Sequence, residues 1–196
     1  MKRFLIAAAA LASLPAWADR PPAGPGSPMQ VEYRIENAQS MLPSDFTVLF
    51  APGGQKARVS FAGEPGYLLL DLPARHVTMV MEQPKISMNI PMPALLAPYV
   101  NWRDAMVFTR GGTERDAGLV CRDWTTATAK GRAELCITGD GLPLRVRASG
   151  NDGSRSEVVA VAVRQGSDDP AAFEVPQDHP NLGGMGFSPF AGLKGN

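Results

Sequence analysis

The sequence is poor in the residue types that most often carry out chemistry. Its 196 residues include two cysteines, two histidines, three tryptophans and three tyrosines. There is no Cys-x-x-Cys pair, no Gly-x-Ser-x-Gly motif and no Gly-rich phosphate loop followed by Lys, which argues against the common redox, serine-hydrolase and nucleotide-binding layouts. His76 and His179 lie far apart, and Asp168-Asp169 beside Pro170 is typical of a solvated turn. We therefore expect no enzyme, no cofactor and no metal site.

An excess of charge of either sign is also missing. Lys and Arg together number 19, as do Asp and Glu, so the formal net charge is zero. The basic field that a nucleic-acid-binding protein needs is therefore not expected. With 44% hydrophobic residues, the chain has enough apolar surface to bury the core of one domain.

The amino terminus has the composition of an export signal. Lys2 and Arg3 precede an apolar run from Phe4 to Leu14, and small residues flank Trp17 at the expected cleavage point, Ala16-Trp17-Ala18. This pattern predicts a signal peptide at residues 1–18, no transmembrane segment after its removal, and a periplasmic or secreted protein.

Composition divides the rest of the chain into three parts. Residues 19–28 hold four prolines and two glycines and predict a flexible leader. Residues 29–180 are expected to form one β-rich domain. Residues 181–196 are expected to form a Gly-rich flexible tail, in which Phe187 and Phe190 could dock on a partner.

Short apolar runs separated by Pro and Gly turns predict an antiparallel meander. The fold class expected is mainly β (α+β), with a single curved antiparallel sheet or half-barrel and a few short helices, at Asn37 to Leu42 and Pro93 to Asn101. The predicted strands are Val31–Ile35, Phe46–Phe50, Ala57–Phe61, Tyr67–Leu72, Arg75–Glu82, Lys85–Ile90, Leu119–Thr126, Arg132–Thr138, Leu144–Ala148, Glu157–Arg164 and an edge strand at Phe173–Pro176.

The two cysteines, Cys121 and Cys136, predict a structural disulfide because an even count in an exported chain favours pairing. A two-residue turn at Thr128-Ala129 would place them directly opposite each other. A four-residue loop from Thr128 to Gly131 would place Cys121 opposite Thr138 and make Cys136 its diagonal neighbour on the same face. A three-residue loop ending at Gly131 would put the sulfurs on opposite faces, so we expect a two- or four-residue loop, or a bulge.

Methionines are concentrated around the middle of the chain, at Met79, Met81, Met88, Met92 and Met106. Three interpretations follow: a plain core, an adaptable cavity for apolar ligands, or a Cu(I) site near His76. Strand alternation places Met79 and Met81 on one face and His76 on the other, which argues against copper.

Three segments carry a resemblance to a known family: Gly118 to Trp124, Cys136 to Leu144 and Phe173 to Pro176. Together with the Tyr67 to Pro91 meander, they resemble an uncharacterised family of exported bacterial β-rich proteins. That family is similar to lipoprotein carriers of the LolA/LolB type, which implies an open half-barrel with an apolar cavity on its concave face. The resemblance supplies no catalytic residues.

We expect non-enzymatic binding or carriage of an apolar ligand, a lipid or acyl chain, on the concave sheet face. The alternative is a structural or protein-interaction module of the cell envelope with a filled core. The candidate ligand-binding residues are Leu68, Leu70, Met79, Met81, Met88, Ile90, Leu95, Leu96 and Trp102.

Overall fold

A computed structural model describes residues 20–36, 44–90, 107–128 and 131–183. Within these ranges, eleven strands form a single antiparallel sheet. The strands are β1 (Met29–Glu36), β2 (Asp45–Phe50), β3 (Lys56–Phe61), β4 (Gly66–Asp71), β5 (His76–Glu82), β6 (Lys85–Ile90), β7 (Phe108–Asp116), β8 (Leu119–Thr128), β9 (Gly131–Thr138), β10 (Pro143–Gly150) and β11 (Arg155–Gln165).

The sheet consists of two meanders joined along one seam. The spatial order is β6-β5-β4-β3-β2-β1-β11-β10-β9-β8-β7, so the first and last strands of the chain pair at its centre. Because β6 and β7 stand at opposite ends, the sheet does not close into a barrel. The predicted mainly β class and antiparallel meander are confirmed.

Several sequence predictions lie outside the described residues. These are the signal peptide at residues 1–18, the two helical segments Asn37 to Leu42 and Pro93 to Asn101, and the tail residues Phe187 and Phe190. They stay predictions.

Two elements differ from the sequence expectations. Strand β7 was not predicted, because its sequence FTRGGTERD lacks alternating apolar residues. The edge strand predicted at Phe173–Pro176 is wrong. A short 3₁₀ turn occupies Pro170–Phe173 instead, and the Asp169 side chain accepts a hydrogen bond from the Ala171 amide at its start.

The disulfide between Cys121 and Cys136 is present, with the two Cα atoms 5.3 Å apart. Cys121 lies opposite Thr138, and Cys136 lies opposite Asp123. The diagonal arrangement predicted for the Thr128 to Gly131 loop is thereby confirmed, although the strand pairing itself extends to Thr128 and Gly131. The bond belongs to the main buried cluster, together with Leu142 and Leu144.

The segment before β1 makes defined contacts. Pro25 is fully buried, and its carbonyl accepts a hydrogen bond from the Gly53 amide. A Cβ at Gly24 or at Gly141 would collide with backbone atoms of the facing segment, so both positions require glycine for this close approach. Gly24 and Pro25 therefore lie against the Pro52–Gly54 turn, and the predicted leader at residues 19–28 stays a prediction.

Candidate functional site

One face of strands β1 to β6 is lined by apolar side chains. Antiparallel partners directly opposite each other share a face, so the register defines continuous cross-strand rows. One row is Val31, Val48, Val59, Leu68, Met79 and Met88. A second row is Met29, Phe50, Ala57, Leu70, Val77 and Ile90. Alternation along the strands puts both rows on the same side, which we call the apolar face.

A third, aromatic row lies beside these two. Tyr33 is opposite Phe46, which is opposite Phe61. The ring centroids of Tyr33 and Phe46 are 5.4 Å apart, and those of Phe46 and Phe61 are 6.0 Å apart. The lining list from the sequence omits Phe46 and Phe61. Their alternation with Val48 and Val59 around the Pro52–Gly54 turn is the signal that could have identified them.

Six of the nine predicted ligand-binding residues lie on the apolar face. Leu68, Met79 and Met88 belong to the first row, and Leu70 and Ile90 belong to the second. Met81 lies two residues beyond Met79, opposite Gly66 and Ile86. The other three, Leu95, Leu96 and Trp102, lie outside the described residues. The three methionines are half-buried, whereas Leu68, Leu70 and Ile90 are buried.

The apolar face continues across the other meander. Ile35 of β1 is opposite Val158, and the row then runs through Val146, Leu135 and Trp124 before it ends at Arg110 on β7. The buried cluster of this half contains Phe108, Trp124 and Leu135. The outer strands therefore place arginine on the same side of the sheet as the apolar rows.

An open pocket lies mainly on the side of the sheet opposite the apolar face. It has a volume of about 340 Å³ and lies between β1, β2 and β3. Five of its lining residues are polar and alternate with apolar-face residues on their strands: Glu32, Arg34, Asp45, Thr47 and Ser60. Arg34 and Asp45 form an ion pair at 2.9 Å. The pocket is therefore not part of the apolar face.

The opposite face of the second meander carries a charged cluster. The Arg145 guanidinium donates to Glu114 at 2.5 Å and to Asp116 at 2.7 Å, and lies 3.4 Å from Asp123. The hydrogen bond from Arg145 lowers the pKa of Glu114. Burial, followed by the charge of Glu114, raises the pKa of Asp123. The cluster borders a pocket of about 230 Å³, and its mutual pairing fits a structural role.

The chain after the 3₁₀ turn packs on β4 to β6, on the side of the sheet opposite the apolar face. Val175 contacts the small buried cluster of Tyr67, Leu69 and Val80. The Ser87 amide donates to the Pro180 carbonyl, and the Leu182 amide donates to the Ser87 carbonyl, so this segment covers part of the β6 edge. We call residues 174–183 the C-terminal strap.

An ion-pair group fastens the strap. The Lys85 ammonium lies 2.5 Å from a carboxylate oxygen of Asp178, and the buried His179 ring nitrogen Nδ1 lies 2.8 Å from the other. The hydrogen bond from Lys85, followed by the one from His179, lowers the pKa of Asp178 to about 2.

The geometry does not bring the predicted copper ligands together. The His76 Nε2 atom lies 2.9 Å from Asn89 Oδ1, on the face opposite Met79 and Met88. The predicted separation of His76 and Met79 by strand alternation is thereby confirmed. In the part of the chain that the structure describes, one group of potential ligands is Asp116 with Cys121 and Cys136, but both sulfur atoms are joined in the disulfide.

Comparisons with known proteins support the fold. No protein-family model matches the chain, and no curated protein matches it. An uncharacterised conserved protein from Thermus thermophilus superposes with a TM-score of 0.55 and 13% identity, covering 81% of this chain and 91% of that one. The two proteins therefore share the fold.

Other structures superpose with TM-scores below 0.5. A putative outer membrane lipoprotein-sorting protein domain from Vibrio parahaemolyticus has a TM-score of 0.40 and 10% identity, over 76% of this chain and 89% of that one. MucB in the MucA/MucB complex of Pseudomonas aeruginosa has a TM-score of 0.46 and 13% identity, over 77% of this chain and 56% of that one. This chain thus spans about half the length of the MucB chain.

The disulfide fits an oxidising compartment and hence an exported protein. Among the described residues there is no helix with the length and apolarity needed to cross a bilayer.

Proposed function

We propose that this protein is a periplasmic, non-enzymatic binding protein that holds the acyl chain of a lipid on its apolar face. The observation that carries the proposal is the set of three apolar rows, two of which extend over six strands, in which Met79, Met88 and Phe61 are only partly buried beside buried aliphatic neighbours. Partly buried methionine and aromatic side chains at the margin of a large apolar face could move aside to admit a ligand, and ligand sites are lined mainly by groups of this kind. The predicted signal peptide and the disulfide support the compartment.

The residue types on this face suit a long and variable apolar chain. Met79, Met81 and Met88 have unbranched side chains that adapt to irregular partners. Phe46 and Phe61 add rigid aromatic area at the other end. Transfer of an acyl chain from water to this face would be favourable by about 25 cal/mol for each Å² of apolar surface buried.

The experiment that tests the proposal is a titration with a fluorescent fatty-acid probe. Wild-type protein is expected to bind the probe saturably. Met81→Lys should weaken binding at least about tenfold, because an ammonium group would be buried against the acyl chain. Its half-buried position near the ends of β4 and β5 lets the lysine reach water in the free protein, so the fold should be preserved.

Two matched variants serve as controls. Met81→Leu keeps the apolar surface at the same position and should bind like wild type. Gln30→Lys adds the same charge at a half-buried position on the opposite face, since Gln30 pairs with Leu49 and alternates with Val31. Absence of saturable binding by wild-type protein, or equal loss in Gln30→Lys and Met81→Lys, would overturn the proposal and favour a filled structural or interaction module.

A further inference from the structure

The hairpin between β7 and β8 projects an exposed tip with both apolar and basic side chains. Its turn is Ala117-Gly118, where both residues have positive φ angles, 46° and 78°. Directly after the turn, Leu119 is 39% exposed and Val120 is 54% exposed. Exposed aliphatic side chains at a tight turn cannot be explained by the core, which begins further along β8 at Cys121 and Trp124.

The register places two arginines beside Val120 on the same side of the sheet. Val120 is opposite Arg115, and Arg122 follows two residues later on the strand. Trp124 comes two residues after Arg122 and belongs to the apolar face through its partner Leu135. Arg115, Val120 and Arg122 therefore lie on the same side of the sheet as the apolar face, but at the tip of the hairpin, beyond the three apolar rows of β1 to β6.

These two arginines have no carboxylate partner among the described residues. Arg115 donates to the Gly118 carbonyl at 2.7 Å, and Arg122 donates to the Gly111 carbonyl at 3.2 Å. The acidic side chains of the hairpin, Glu114, Asp116 and Asp123, are instead gathered around Arg145. Charge is thus divided between the two sides of the hairpin, with Arg115 and Arg122 on one side and three carboxylates that share Arg145 on the other.

We propose that this hairpin tip docks the protein on the surface of an anionic lipid bilayer. The guanidinium groups of Arg115 and Arg122 would bind lipid phosphates, for which their planar donors are suited. Val120, between the two arginines, would enter the boundary between headgroups and acyl chains, where apolar side chains gain free energy. A segregated surface of this kind complements a negatively charged membrane. The inference goes beyond the proposed function, since it concerns the membrane surface and not a ligand held on the sheet.

Co-sedimentation with vesicles tests this inference. Wild-type protein should bind vesicles of equimolar phosphatidylglycerol and phosphatidylcholine, and should not bind vesicles of phosphatidylcholine alone. The double variant Arg115→Gln with Arg122→Gln should bind the anionic vesicles roughly 30-fold more weakly, given about 1 kcal/mol for each basic residue near an anionic surface. Val120→Ser should weaken binding several-fold, and added salt should weaken wild-type binding.

The matched control is Arg75→Gln with Arg155→Gln, which removes the same charge from exposed sites away from the hairpin tip. It should bind anionic vesicles with an affinity within about twofold of wild type, because dissolved salt screens the attraction between the membrane and charges more than about 10 Å away from it. No wild-type binding to anionic vesicles, an equal loss in both double variants, or self-association of the protein in place of vesicle binding would overturn the inference. The fatty-acid titration should be unchanged in the hairpin variant, so the two proposals can fail separately.

Discussion

The Tyr33 hydroxyl donates a hydrogen bond of 2.7 Å to the main-chain carbonyl of Pro143. Tyr33 lies in the central strand β1, and Pro143 begins β10, two strands away across the seam. The bond therefore ties the two meanders together through a side chain, in addition to the pairing of β1 with β11. Because Tyr33 is buried, the pKa of its phenol is raised.

Tyr33→Phe is expected to lower the free energy of unfolding at neutral pH by about 1–3 kcal/mol, since it leaves a carbonyl without its partner. In wild type, the raised pKa means that the neutral phenol is favoured in the folded state. The neutral phenol stabilises the fold fully below about pH 10, which is the pKa of tyrosine in the unfolded chain. This stabilisation is lost as the pH rises above that value. Urea unfolding from neutral to alkaline pH should show this extra loss in wild type only. An identical alkaline slope in Tyr33→Phe would contradict the assignment.

The disulfide should add about 3 kcal/mol to the free energy of unfolding, because it closes a loop between cysteines 15 residues apart and so restricts the unfolded chain. The double variant Cys121→Ser with Cys136→Ser should lose this amount in chemical unfolding. Wild-type protein unfolded in a reducing agent provides the control and should match the variant. Two free thiols in denatured, non-reduced wild-type protein would show that the bond does not form.

In the Arg145 cluster, neutralising two neighbouring carboxylates should change the stability of the fold in opposite directions. Glu114→Gln should destabilise the fold, since Arg145 lowers the pKa of Glu114 and so favours its ionised form. Asp123→Asn should stabilise it at neutral pH, since burial and the Glu114 charge raise the pKa of Asp123. Thermal unfolding of both variants checks the signs, and a shift in the same direction for both would contradict this account.

The contribution of ionised Glu114 also has a defined pH window. Its pKa is lowered by folding, so the contribution is complete above the unfolded value of about 4.3 and disappears as the pH falls through the folded value. Arg164→Met, on the neighbouring strand β11 and paired with Glu32, is the control that should leave the Glu114 titration unchanged.

The C-terminal strap should respond to acid through Asp178. The pKa of this carboxyl is lowered to about 2, mainly by Lys85. Its ionised form therefore holds the strap fully above about pH 4, and the hold weakens as the pH falls toward about 2. The amide resonance of Leu182 should report this change, and Lys85→Met should move the transition to higher pH. A Leu182 amide that is insensitive to acid and to this variant would show that the ion pair does not fasten the strap.

Most strands were predicted from the alternation of apolar and polar residues. The two elements that this pattern did not predict correctly have physical explanations. Strands such as Lys85–Ile90 were predicted because one face is buried, so period-two alternation is visible in the residues. Strand β7 stands at the end of the sheet, where Thr109 to Arg115 are exposed on both sides and no alternation is required. Phe173 was assigned to a strand because Phe173 and Val175 alternate with Glu174. The residues that start its 3₁₀ turn, Asp169 and Pro170, lie before this pattern and were interpreted as a separate loop.

Sites formed by strands that are far apart in the sequence could not be predicted from it. Met79 and Met81 could be placed on one face because alternation within a single strand decides it. Arg145 and Glu114 lie 31 residues apart, and each resembles an ordinary solvated charge. Only the strand order, which is not encoded locally, brings the guanidinium to the carboxylates.

The seam between β1 and β11 has a consequence for how the chain folds. Met29 pairs with Gln165, and Glu36 pairs with Glu157, so the central pairing of the sheet joins the most distant parts of the domain. Each meander can form through contacts between strands that follow one another in the chain. The seam must close the longest loop, and non-local pairing of this kind slows folding. A chain that emerges amino terminus first therefore completes its central pairing only after its last strand has appeared.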